Sequence, residues 1–369
     1  MKEIRALTGI RGIAALTVFL DHIRENLAMR GLDLQVPTLA SRLLLSGGRQ
    51  VDVFFVLSGF ILALIYSAWF EQGFDSGSYL KFLRRRVARI YPLHVFMLAL
   101  IVGFVIAAPL VHAHLENGGD RFTWSSLPAT LLMVHAWGFV GERGGPWNPA
   151  SWSVSIEFMA YLLFPLFLWA AASLRRERPW LFVLATACAG LALNYYIPWG
   201  LAGLEGIARG LSEFTLGCAL AGLYDSRFTG WLRSNLGAAV ALLVWAVTYA
   251  LTPDTGFVIA LGVAATILSL SGTNWLSSFF GWTPVYFLGE ISYSIYLGHF
   301  LFSSIAYRFV KAEWMRTSTM ATCLGLLLIA AFVVVMSTLT YYGVERPGRD
   351  WMAGKRERSN AGAPASQGA

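Results

Sequence analysis

The stretch VDVFFVLSGFILALIYSAWF, residues 51–70, carries one charged residue, Asp52, in twenty positions. A hydrocarbon core of about 30 Å needs about 20 mostly apolar residues to cross as a helix. Lipid offers the backbone no hydrogen-bond partners, so a run of this kind must close its own bonds as a helix. Working outward from it, runs of similar length recur at 9–27, 90–111, 152–173, 180–197, 207–224, 236–252, 257–271, 285–306 and 320–342. Ten spans result. A shorter run, LPATLLMVHAWGF at 127–139, is too short to cross and reads as a re-entrant or interfacial segment. Composition agrees: of 369 residues 56% are hydrophobic and 13% charged, where a soluble domain carries about 25% charged residues. A soluble globular fold and a disordered chain are both excluded. The expected fold is all-α: a polytopic integral membrane protein of ten transmembrane helices plus that one segment.

The net charge of +7 could suggest a nucleic-acid partner, but the basic residues cluster at the ends of spans. That is the positive-inside signal, and the partner it implies is the lipid bilayer, with no nucleic acid. With Lys2 and Arg5 in the cytoplasm, ten spans place four basic segments inside: the 71–89 loop with Lys81, Arg84, Arg85, Arg86 and Arg89; the Arg227/Arg233 loop; Arg175–Arg178; and the tail with Lys355, Arg356 and Arg358. An eleventh crossing would put the last two outside. Both termini are therefore expected in the cytoplasm. Arg308, Lys311 and Arg316 form the one dissenting loop. The short apolar start, Ile13 to Leu20, runs into Asp21, His22, Arg24 and Glu25 where a cleavage site would need small residues, so it reads as a retained helix. Residues 1–351 form one membrane domain, and 352–369, ending SNAGAPASQGA, a disordered cytoplasmic tail. Cys188, Cys218 and Cys323 are scattered packing residues.

Ionisable groups inside spans are costly and therefore candidates for function. Here they are Arg11, Asp21, His22, Asp52, Glu157, Glu213, Glu290, His299 and Glu345. At 1.5 Å per residue, His22 and His299 lie about 20 Å beyond the inner ends of two outward-running spans. Asp52 and the segment from Trp152 to Glu157 begin inward-running ones. All four would share the outer half of the membrane, with Arg84–Arg86 and Arg89 on the opposite side. Imidazole can take a proton from a hydroxyl near neutral pH, and Asp52 or Glu157 would be its orienting carboxylate, since Asp21 points about 100° away. Guanidinium groups grip phosphate. Together these residues suit transfer of a group from a phosphorylated donor, coenzyme A among the options, to a hydroxyl acceptor.

Plainer readings stand beside these. The arginines could mark topology only, Arg11 could pair with a carboxylate, and Trp152 could belong to an interfacial belt. Ser153 lacks a G-x-S-x-G elbow. Ser292, Tyr293, Tyr296 and His299 could form a polar seam between helices. His112, His114 and Glu116 fall short of a secure zinc set, and no metal is expected. A transporter of a sugar or acylated lipid, or a non-catalytic scaffold of a polysaccharide-assembly complex, would use a similar set of helices. The two matching halves that mark many transporters are not seen in the sequence.

Six motifs in order carry a resemblance: RALTGIRGIAALTVFLDHI (5–23), VDVFFVLSGFIL (51–62), FLRRRVARIYPLH (82–94), SWSVSIEF (151–158), ISYSIYLGHF (291–300) and GVERP (343–347). The chain resembles acyltransferase family 3, membrane-bound enzymes that O-acylate bacterial surface sugars and some secondary metabolites. The resemblance implies a ten-helix enzyme of the bacterial cytoplasmic membrane. It would take an acyl group, usually acetyl, from acyl-CoA on the cytoplasmic side to a sugar hydroxyl, often on the far side. His22 would be the catalytic histidine, with Glu157 and Asp52 beside it, and Arg86 and Arg89 would bind the donor, assisted by Arg85 and Arg11. Trp152, Ser153, Tyr293 and His299 are the expected acceptor-binding residues. Many relatives carry a further hydrolase-like domain; with 22 residues after Pro347, this chain is expected to be the stand-alone form. A second copy of the chain, or polysaccharide-assembly proteins, are the protein partners left open.

Overall fold

A computed structural model describes residues 3–32, 47–70, 73–107, 122–140, 147–197, 200–251 and 256–354. The His112–Glu116 segment and the tail from residue 355 lie outside the described residues. Each predicted span is helical over most of its described residues, and the described residues contain no strand. The helices are α1 (Arg5–Met29), α2 (Gly47–Phe70), α3 (Ser76–Ala107), α4 (Leu127–Leu131), α5 (Ser151–Glu177), α6 (Pro179–Tyr196), α7 (Gly203–Ala221) and α8 (Asn235–Leu251). They continue with α9 (Gly256–Leu270), α10 (Trp275–Gly281), α11 (Thr283–Glu290), α12 (Ser292–Ala306), α13 (Ala312–Met315), α14 (Thr319–Thr340) and α15 (Arg346–Met352). The protein is an all-α polytopic membrane protein. Among the described residues six helices are long and apolar enough to cross: α1, α2, α3, α5, α6 and the α14–α15 rod. A seventh arises if α9 and α10, bent by 88° to one another, form one span. The remaining predicted runs depart from simple spans for local reasons. α7 carries Glu205, Arg209 and Glu213, α8 is short, and the run 285–306 is broken at Ile291 between α11 and α12.

One expectation changes. The basic residues Lys81–Arg89 do not lie in a loop, because α3 begins at Ser76. Asp75 caps it, its carboxylate accepting the amides of Gly77 (3.4 Å) and Ser78 (2.7 Å). Lysine and arginine are good helix formers, so nothing interrupts the helix between that cap and the apolar run. The guanidinium groups therefore ride on a rigid rod.

Segment 127–139 is a five-residue helix followed by a turn with Met133 at φ 57° and Gly138 at φ 87°. It is stitched to its neighbours. The Ala136 amide donates to Ser155 Oγ (3.2 Å), the Trp137 indole to the Ser155 carbonyl (2.9 Å), and His94 Nε2 to the Thr130 carbonyl (2.8 Å). α1 lies parallel to α10–α12: Arg5 donates to the Gly281 carbonyl (3.3 Å) at one end, and His22 meets His299 at the other.

In lipid, helices associate through close packing at small residues. On α2 and α7, Gly59 faces the Phe214 carbonyl and Gly217 the Val56 carbonyl, so any Cβ there would collide with backbone. Gly217→Leu is expected to lower the thermal unfolding midpoint in detergent, by the equivalent of about 1–3 kcal/mol of overpacking. Gly103→Leu, at a position with open space around it, is the control and should leave the midpoint in place.

Candidate active site

A cleft of about 760 Å³, its open mouth included, lies between α1, α2, α3, α5 and α12. Arg11, Arg86, Arg89, Ser58, Glu157, Tyr161 and Tyr293 line it, and Ser153 and Tyr296 face it at the end nearest His299. The Arg-x-x-Arg spacing puts Arg86 and Arg89 on one side of α3, three residues being nearly one turn. Arg89 donates to Glu345 (2.8 Å) and stands over the Tyr293 ring, whose hydroxyl donates to the Ile90 carbonyl (2.8 Å). Arg86 donates to the Tyr66 hydroxyl (3.3 Å), while its Nε is buried without a hydrogen-bond partner. Arg84 and Arg85 point elsewhere: Arg84 donates to the Met352 carbonyl (2.7 Å), and Arg85 lies over Trp69 on the exposed side. Arg85 is thus separated from the expected donor-binding group.

Glu345 is held inside the bundle because Tyr341–Glu345 forms a π turn between α14 and α15. Such turns are frequent at functional sites. Its second carboxylate oxygen accepts from Ser294 (2.7 Å). Glu157 accepts from Ser58 (2.8 Å) and Tyr161 (2.6 Å), and Arg11 lies within electrostatic reach of Glu157, Glu345 and Arg89. Three guanidinium groups therefore face two carboxyl groups. With Arg86 Nε still unpartnered, the surplus suits an anionic ligand such as phosphate.

The histidines form a separate group. His22 Nδ1 and His299 Nε2 are 3.1 Å apart, with ring centroids separated by 5.0 Å. Phe300 lies 4.6 Å from the His22 ring. Among the described residues no carboxylate is hydrogen-bonded to His22 in the way the sequence suggested. Asp52 is wholly buried and pairs with Arg209, through Nε (3.0 Å) and through a short contact with Nη2. Arg209 also donates to the Gly48 carbonyl (2.7 Å), has Glu213 at 3.8 Å, and lies beneath the Trp152 ring at 5.0 Å. Trp152 therefore covers an ion pair. Glu157 sits with the arginines, about 10 Å from the histidine pair along the helix axes. Ser153 bonds the Tyr296 hydroxyl (2.7 Å), and Tyr293 belongs to the arginine end. Guanidinium groups and imidazoles are nearer than expected: Tyr293 under Arg89 precedes His299 by six residues, about 9 Å of helix.

The comparisons bear on this geometry. A sequence profile described as an acyltransferase domain matches residues 4–342. The chain belongs to acyltransferase family 3. It is 29% identical to the acyltransferase MdmB of Streptomyces mycarofaciens, over 99% of this chain and 96% of that protein. It is 25% identical to YrhL of Bacillus subtilis, assigned as a peptidoglycan O-acetyltransferase, over 81% of this chain and 48% of the relative. It is 23% identical to the O-acetyltransferase OatA of Staphylococcus aureus, over 81% of this chain and 50% of OatA. The chain thus spans about half the length of the latter two. No solved structure matches it.

Sequence reasoning passed over Arg209, whose signal was plain: a guanidinium inside an apolar run needs a partner. Glu345 was among the intramembrane candidates, but its pairing with Arg89 is not visible in the sequence. Removing one member of a buried ion pair typically costs about 3–5 kcal/mol. Asp52→Asn is therefore expected to unfold well below the parent temperature in detergent. A variant that stayed fully stable but lost turnover would instead make Asp52 part of the chemistry.

Proposed function

We propose that the chain transfers an acyl group, acetyl in the first instance, from acyl-CoA to a sugar hydroxyl of a cell-surface or exported carbohydrate. The observation that carries this reading is the cleft. Three guanidinium groups and an unpartnered Arg86 Nε lie at one end, and its other end reaches Tyr296, three residues before His299. Arg86, Arg89 and Arg11 hold the donor phosphates, with the acyl thioester extending toward the histidines. His22 acts as general base. It takes the acceptor hydroxyl proton, the oxygen attacks the acyl carbon, the C–S bond breaks, and the departing thiolate takes up a proton. The names of OatA and YrhL, an O-acetyltransferase and an assigned peptidoglycan O-acetyltransferase, support oxygen acylation and a carbohydrate acceptor. Ser153 and Tyr296 face the acceptor. Residues 1–351 form the membrane unit with ten spans in the bacterial cytoplasmic membrane, both ends cytoplasmic, as the distribution of basic residues favours.

Two substitutions separate the roles. His22→Gln keeps a hydrogen-bonding group but cannot take the proton, and is expected to lower turnover by roughly 10²–10⁴-fold with donor binding retained. Substantial turnover in that variant would remove the general base. Arg86→Lys or Arg89→Lys keeps the charge but loses the planar fork. A charge-assisted hydrogen bond is worth about 1.5–3 kcal/mol, so each is expected to weaken acyl-CoA binding roughly 10–150-fold, read by titration of purified protein. Unchanged binding in the Arg86→Ala, Arg89→Ala double variant would overturn the donor site.

A further inference from the structure

His22 and His299 share one hydrogen bond, and the direction of that bond can be read from what surrounds it. His299 Nδ1 lies 2.7 Å from the Tyr296 carbonyl. A carbonyl oxygen can only accept, so Nδ1 of His299 carries the proton. In the neutral ring its Nε2 is then a lone pair. That lone pair faces His22 Nδ1 at 3.1 Å. Two lone pairs cannot face each other at that distance, so His22 Nδ1 must be the donor. The proton of neutral His22 is therefore on Nδ1, and the free lone pair is on Nε2, the nitrogen turned away from the pair. The reverse arrangement would point an unprotonated His299 Nδ1 at a carbonyl oxygen. His299 is itself 1% exposed, with Phe19 and Phe300 against its ring, so water does not compete for these bonds.

We propose that His299 is the positioning residue that fixes the tautomer and ring orientation of His22, filling the place a carboxylate takes in a serine–histidine–aspartate triad. This rests on His22 being the general base, as proposed above, and assigns the partner that Asp52 and Glu157 do not supply. The difference in chemistry has a consequence. A carboxylate partner stabilises the imidazolium that forms when the base takes its proton, whereas a neutral imidazole orients without adding a negative charge. The proton then sits on His22 with less electrostatic support and is more readily handed on.

The test uses the full chain in detergent or lipid. Nitrogen-15 solid-state NMR of histidine-labelled protein, with the His22 signals assigned by their loss in His22→Gln, is expected to show a protonated Nδ1 and an unprotonated Nε2 at His22. Turnover is then compared in two His299 variants. His299→Phe keeps the ring volume but offers no acceptor, and is expected to lose roughly 100-fold or more in kcat with donor KM within about twofold. His299→Gln can accept from His22 through Oε1 and donate to the Tyr296 carbonyl, and is expected to recover to within about tenfold of the parent. An unprotonated Nδ1 at His22, or unimpaired kcat in His299→Phe, overturns the assignment. Activity in His22→Gln would instead remove the general-base reading, while the tautomer measurement would still judge the hydrogen bond.

Discussion

A guanidinium group among membrane helices must find a carboxylate or carbonyl within hydrogen-bond distance, because neither lipid nor packed side chains can solvate it. The architecture of this protein follows from how that demand is met at two places. Arg209 is matched by Asp52, the Gly48 carbonyl and Glu213, all on α2 and α7. Arg89 is matched by Glu345, brought inward by the π turn at the end of α14. The first pair locks two helices that also interdigitate through Gly59 and Gly217. The second holds the π turn and α15 against α3.

The two pairs differ in what they leave over. Around Arg209 the charges are enclosed, with Trp152 over the guanidinium face, and the cluster reads as an internal brace. Around Arg89 the accounting is uneven: Arg11 and Arg86 bring the guanidinium groups to three, and a cleft runs past them. A surplus of fixed positive charge beside open space is what an anionic substrate needs. The same interaction thus stabilises the fold in one place and prepares a site in the other: Arg209 faces two carboxyl groups of its own, whereas three guanidinium groups share two beside the cleft.

Breaks in the helices position the chemistry. The interruption at the buried Ile291 ends α11 and starts α12, so Tyr293, Tyr296 and His299 lie on a helix of their own that begins at buried Ser292. The close approach of α1, allowed by Gly9 and Gly12 against α10 and α11, sets His22 level with His299. Segment 127–139, tied to Ser155 and His94, closes the same end of the bundle without crossing it.

What the sequence by itself determined was everything that depends on neighbours along the chain. Runs of about twenty apolar residues dictate helices in lipid, the ordered motifs carry the family, and the Arg86–Arg89 spacing puts two guanidinium groups on one side of one helix. What only the tertiary structure decided was which groups meet. Asp52 and Glu157 were equally good partners for His22 on depth alone, since helical rise gives a height but not a lateral neighbour. Packing gave Asp52 to Arg209, Glu157 to Ser58 and Tyr161, and His22 to a second histidine. Arg85 and Arg86 are adjacent in the chain, yet a 100° turn of the helix sends one to Trp69 on the exposed side and the other to the cleft. Charge pairing inside a membrane is settled by rotation and lateral contact between helices, and neither is written in the order of residues along any one of them.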